Sequence, residues 1–295
     1  MKKIGLLYGM ENDFPNALAA AINEKGGGEI ECEEMKIGIL TNPDFSQYSV
    51  IFDKVSLLVP FYRTMLKAAA HSGVKVVNNP FKTCHDDLFY AVCMAEEKGI
   101  KSPKTALLPT KRHPEGTTSD TVRNLVYPLN WDELFDYIKF PATLRTNQGN
   151  HRTSSYKVYN PREFFSTYDL TGSKVMALQE SLECQQYYRA FVIGKKNIRI
   201  VEYEPNRPQH LRYGVGEPQL SAELRGQLES SALKVCEMLG FDFNSVELAI
   251  VQGEIYVMNF FNVNPNSERA ILLDDTFNWL VENTADYLLE LARNP

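Results

Sequence analysis

A chain of 295 residues can bury a large core, and its length suggests two domains or three. The composition, 44% hydrophobic with 23% charged, is that of a globular protein, and a formal net charge of -6 excludes a general polyanion binder. Five cysteines without a CxxC pair argue against a disulfide frame or a zinc site, and no apolar run reaches transmembrane length. The expectation is a cytoplasmic protein with reduced core thiols and neither nucleic acid nor membrane as a partner.

The start, MKKIGLLYGMENDF, carries two lysines but soon turns acidic, which reads as a first strand rather than a signal peptide. FPNALAAAINEKGGG predicts a helix stopped by glycines, and YSVIFDKVS a second strand. VPFYRTMLKAAAHSG is a helix closed by Gly73, VKVVNN a strand, KTCHDDLFYAVCMAEEKG a longer helix and KTALLP a further strand. Strands separated by helices of this length imply right-handed βαβ crossovers and a parallel sheet. No GxGxxG follows the first strand, so a dinucleotide site of the usual kind is not expected.

Residues 110–130, rich in Pro, Thr and Gly, are the expected linker. WDELFDYI then predicts a short helix, FPATLRTNQGNHRTSSYK a strand–loop–strand with Arg145 at the end of its first strand, and PREFFSTYDLTG a helix. Strands follow at KVMALQESL, QYYRAFVIG and NIRIVEYEP, the last two joined by the basic run KKNIR, which reads as a solvated hairpin turn. A long helix, SAELRGQLESSALKVCEMLG, leads to the strand pair NSVELAIVQGEIYVMNFFNVNP, and TFNWLVENTADYLLELA closes the chain as an amphipathic helix. The fold class expected is α/β followed by α+β.

This order of elements, with YSVIFDKVSLLVPFYR, VVNNPF, NLVYPLNWDELFDYIKFPA, VMALQESLECQQYYRAFVIG, YEPNRPQHLRYG and GFDFNSVELAI, resembles the ATP-grasp superfamily almost end to end. The likeness is to its glutathione synthetase-like and RimK-like ligases. It implies an N-terminal parallel-sheet, Rossmann-like pre-ATP-grasp domain (1–109), the linker, and ATP-grasp lobes over 131–295, the small lobe near 131–182 and the large near 183–295. Such ligases use ATP and Mg²⁺ to activate a carboxylate as an acyl phosphate, which an amine attacks. Cations and a glycine-rich backbone must then position the triphosphate, and a hard metal ion needs oxygen ligands.

Carried onto this chain, the resemblance implies phosphate contacts from Arg145 and Arg189, a flap reduced to the single glycine Gly149, and adenine reading by the backbone of Gln179, Glu180 and Leu182. Glu183 is either a ribose contact or a solvated turn acid, and Arg189 either lines the cleft or makes a structural salt bridge. Glu247, Asn259 and Asn262 are the candidates for the metal, the two asparagines otherwise bonding turn backbone. The pattern is altered in places: Leu88 stands where a Lys is expected, Arg145 replaces another Lys, and Asn259 falls where an acid is expected. An Arg holds phosphate bidentately but is not an interchangeable ammonium, and an Asn offers an oxygen without charge. His151 and Arg152 in the flap are either substitute phosphate contacts or solvated loop residues. Arg189 and Glu247 alternate with apolar neighbours on strands expected to be buried, where a carboxylate needs a partner or a metal. Asn264, before Pro265, is expected to bond turn backbone.

Two functions stay open. One is an ATP-dependent carboxylate–amine ligase with a weakened nucleotide and metal site, acting on small-molecule carboxylates and amines. The other is a catalytically silent pseudoenzyme that serves as a binding or regulatory partner, of an active paralogue or as a homodimer.

Overall fold

The computed structural model describes residues 2–81, 87–113, 115–118, 120–147, 155–214, 216 and 218–294. In chain order its elements begin with β1 (Lys2–Leu7), α1 (Asp13–Lys25), β2 (Ile30–Glu34), β3 (Tyr48–Asp53), α2 (Pro60–His71) and β4 (Lys75–Val77). Then come α3 (Leu88–Glu97), β5 (Thr105–Leu108), α4 (Trp131–Tyr137), β6 (Ala142–Thr146), β7 (Ser155–Val158), α5 (Pro161–Tyr168) and β8 (Met176–Glu180). The remainder is β9 (Gln186–Ile193), β10 (Asn197–Glu202), α6 (Ala222–Leu239), β11 (Phe243–Val251), β12 (Glu254–Asn259) and α7 (Arg269–Arg293). Two compact units result: residues 1–84 with 184–295, and residues 85–183. No helix among the described residues is long and apolar enough to cross a membrane.

The first unit contains two sheets. One is parallel with strand order β2-β1-β3-β4, as the alternation of strands and helices predicts. Phe14, Leu18 and Ile22 recur every four residues and give α1 one buried face, each side chain contributing about 1.5–3 kcal/mol. The helix stops at Gly26, where a Cβ would stand 2.5 Å from the Ile30 carbonyl oxygen, so only glycine fits the return into β2. The other sheet is antiparallel, ordered β10-β9-β11-β12. Gly194 and Lys195, both at positive φ, make the β9–β10 turn, and Lys195 and Lys196 pair with Asp242 and Glu290. α7 ties the two sheets together: Phe277, Leu280 and Leu288 pack in one core with Ile4 and Val50 of the parallel sheet and Phe191 and Phe243 of the antiparallel one.

The second unit is a four-stranded antiparallel sheet, β5-β8-β6-β7. Its core sets Leu108, Leu144, Val158 and Leu178 against Phe164 and Tyr168, with Trp131 and Phe135 packed on them. Capping boxes start α4 and α5: Asn130 and Asn160 accept from the backbone N–H of Glu133 and Glu163 and donate back to their carboxylates. One strand departs from expectation. KTALLP was expected to end the first parallel sheet, yet as β5 it pairs antiparallel with β8. Leu108 enters the core of this unit and Thr105 meets Gln179 side chain to side chain, a choice of partner that a four-residue apolar run does not encode. The loop 110–130 carries no helix or strand among its described residues and is tied to this unit by Arg112 N–H donating to the Gly172 carbonyl (2.9 Å).

Candidate nucleotide and metal site residues

In the first unit the site residues lie on the antiparallel sheet. β11 is buried along all nine residues, so each polar side chain it carries needs a partner. Glu247 sits between Arg189 on β9 and Asn259 on β12, directly opposite both in the strand registers. A register shift in the β11–β12 pairing just after Glu247 brings Asn259 opposite it.

The Arg189 guanidinium is enclosed. Its Nη2 donates to Glu247 Oε1 and its Nη1 to the Tyr213 hydroxyl, while Cζ lies 3.8 Å from the centre of the Tyr203 ring. The second carboxylate oxygen of Glu247 accepts from the Tyr187 hydroxyl at 3.2 Å. The two side chains of the ion pair are 2% and 8% exposed, so neither charge is solvated and each depends on the other. Burial pushes the Tyr187 hydroxyl pKa well up, and the Glu247 charge adds to it. Burial also raises the Tyr213 pKa, against the opposing effect of Arg189. For Arg189, burial lowers the pKa, but Tyr213, Glu247 and Tyr203 more than compensate and the net shift is upward.

Asn259 is buried, and its side-chain oxygen has no hydrogen-bond partner. Asn262 is held through its backbone: its N–H donates to Asn244 Oδ1 (2.9 Å) and its carbonyl accepts from Ser245 N–H (3.1 Å). Together Glu247, Asn259 and Asn262 supply one carboxylate and two neutral amides, and Arg189 balances the carboxylate charge. No group of three or more His, Cys, Asp or Glu residues among those described is placed to hold a metal ion.

The same unit carries a second polar group. Lys54, at the end of β3, has a side chain only 2% exposed; its Nζ reaches Glu11 at 2.5 Å and Ser267 Oγ at 2.8 Å. Burial lowers its pKa, with Glu11 opposing. Lys54 and Glu11 border a pocket of about 420 Å³, with Met10, Leu58, Asn264 and Glu268 also on its wall. It opens beyond the carboxyl ends of β1 and β3, where parallel sheets commonly receive ligands. Asn264 therefore lines a pocket.

In the second unit, Arg145 stands at the end of β6 opposite Ser155 on β7, the hairpin expected from the sequence. Its Nη1 donates to Gln179 Oε1 (3.1 Å), and Gln179 Nε2 donates to Thr105 Oγ1 (2.9 Å), a relay that fixes the guanidinium across three strands. Glu180 is spent locally: its carboxylate accepts from Lys104 N–H and its own N–H donates to the Lys104 carbonyl. Leu182 is half-buried and Glu183 exposed. Leu88 is fully buried at the start of α3, where Asn147 accepts from the Leu88 and Phe89 N–H groups and donates to Asp87. Gly149, His151 and Arg152 lie outside the described residues.

Sequence reasoning missed Tyr187, Tyr203, Tyr213, Lys54 and Glu11. A signal for the first two existed: Tyr187 and Arg189 share a sheet face at period two, and Tyr203 lies across the hairpin from Tyr187.

No family model matches the chain, and no curated protein does. Solved structures do match. The chain is similar to a D-alanine–D-alanine ligase from Bacillus anthracis, solved in complex with ATP, at 16% identity and a TM-score of 0.68, over 99% of this chain and 98% of that one. It is also similar to a RimK domain ATP-grasp protein from Sphaerobacter thermophilus (15%, TM-score 0.67, 97% and 98% covered). A third likeness is to the VanG D-Ala:D-Ser ligase from Enterococcus faecalis (13%, TM-score 0.69, 99% of each chain). The chain therefore has the ATP-grasp fold.

Proposed function

We propose that this chain is an ATP-binding protein on the ATP-grasp fold in which the carboxylate–amine ligase reaction is silenced, leaving it a binding or regulatory partner. The observation that carries this reading is the buried pair of Arg189 and Glu247. A ligase working through an acyl phosphate needs magnesium held by carboxylate oxygens against the nucleotide phosphates. Here the one carboxylate at that place already has its cation. Asn259 and Asn262 bring no charge, so the donor set does not fit a tightly held divalent ion. Leu88, buried where the resemblance implies a Lys, brings none to the phosphates.

ATP binding is supported by the likeness to a ligase solved with ATP and by Arg145, whose planar guanidinium suits a phosphate. The Glu180 and Ser181 N–H groups already donate to the Lys104 and Pro141 carbonyls, so those two donors are not open to adenine. A working ligase is the second reading, favoured by likeness along the whole chain to two enzymes that ligate D-alanine.

Calorimetric titration of ATP into the wild type and Arg145→Ala, paired with a phosphate-release assay over mixed carboxylates and amines, tests both. The expected result is ATP binding weakened about tenfold or more by the substitution, without substrate-stimulated phosphate release. Stimulated release would overturn silencing and establish the second reading. Absence of ATP binding to the wild type would overturn both.

A further inference from the structure

We infer that Arg189 is the resident cation of this site, standing in for a divalent metal ion, so that nucleotide affinity in this chain is independent of magnesium. The inference rests on the ATP-binding reading above and extends it to cofactor dependence. A metal approaching Glu247 must displace a guanidinium held at both Nη atoms and on one face. It loses one hydrogen bond to the carboxylate and one to Tyr213, and it leaves the face of Tyr203 at 3.8 Å.

The remaining carboxylate oxygen is occupied by the Tyr187 hydroxyl. Opposite, Asn259 offers a buried oxygen without a hydrogen-bond partner, but an amide adds no charge. Arg189 and Glu247 sum to zero, whereas a divalent ion in a dry site needs anionic ligands. Breaking a buried ion pair lowers metal affinity by a factor on the order of a hundred to a thousand relative to an uncommitted carboxylate. A guanidinium cannot be deprotonated or washed out by chelators, so this cation is permanent.

The test uses Mn²⁺ alone as a paramagnetic probe, followed by electron paramagnetic resonance on the full chain. The wild type is expected to leave the free Mn²⁺ signal unchanged to millimolar concentration. Asn259→Asp supplies the missing anion without touching the ion pair and is expected to bind Mn²⁺. Mn²⁺ binding by the wild type that Glu247→Gln abolishes would overturn the inference. So would silence in a folded Asn259→Asp protein, since charge would then not be what decides.

ATP titration in EDTA and in MgCl₂ separates this from the broader reading. Affinities agreeing within about threefold support the resident cation, and a tenfold or greater gain with Mg²⁺ contradicts it. If ATP binds in neither buffer, the ATP-binding reading fails, and the Mn²⁺ result alone decides this inference.

Discussion

Replacing Arg189 with Met keeps most of the aliphatic volume but leaves the Glu247 carboxylate buried without its cation, the Tyr187 hydroxyl still donating to it. Removing one member of a buried pair costs about 3–5 kcal/mol, and a desolvated cation over an aromatic face is worth about 2 kcal/mol, part of it the same energy. We expect Arg189→Met to destabilise the first unit by about 4 kcal/mol. Arg189→Met with Glu247→Leu removes both charges and leaves the Tyr187 and Tyr213 hydroxyls to find other partners, at about 1 kcal/mol each. The double variant should therefore be more stable than the Arg189 single variant by about 2 kcal/mol. Urea unfolding followed by circular dichroism, with the denaturant slope checked for constancy, measures the cycle. A single-variant loss below about 1 kcal/mol, or a double variant at the sum of the singles, would refute the claim that these charges are sealed together.

Other parts of the molecule give independent expectations. Leu273 breaks α7 with φ 60° and ψ 164°, a conformation used almost only by glycine. Leu273→Gly should raise stability by about 1 kcal/mol, and a loss of that size would show that the half-exposed side chain matters more than the backbone. Lys54→Met should cost about 3 kcal/mol by removing the cation that Glu11 pairs with, read as a drop in the urea midpoint; no change would reduce the cluster to a surface pair. Burial pushes the Cys32 and Cys236 thiols up to about 12, so neither should alkylate in the native protein at neutral pH, while exposed Cys184 should. Because those folded pKa values lie above the unfolded one, their contribution to stability is full below about pH 8.5 and is lost as pH rises towards 12. Peptide mapping after iodoacetamide and unfolding curves across that window check both, and Cys32 or Cys236 labelling as fast as Cys184 would contradict the burial.

Much of the fold was legible because its signals are local. Period-four apolar residues set α1, Asn–Glu capping boxes set α4 and α5, and glycines end α1 and α6. The sequence reading passed over β2, IECEE, whose acids hide an alternation that buries Ile30 and Cys32. It misassigned β5 because strand partners are a tertiary choice. Glu247 and Arg189 stood out as charges on apolar strands. That they bind each other could not be read, since the pairing depends on the register between β9 and β11, strands separated by a hairpin and a long helix. The tyrosines that enclose Arg189 come from three segments, and Lys54 meets Glu11 only through the ends of β1 and β3.

Whether Arg189 holds Glu247 in place of a metal can be seen in a single experiment. The most direct measurement is a crystal structure grown with ATP and MnCl₂, with anomalous data collected at the manganese edge. Bound nucleotide, an intact Arg189–Glu247 contact and no anomalous peak at Glu247 and Asn259 are the expected result. A manganese ion ligated by Glu247, with Arg189 turned away, would contradict it.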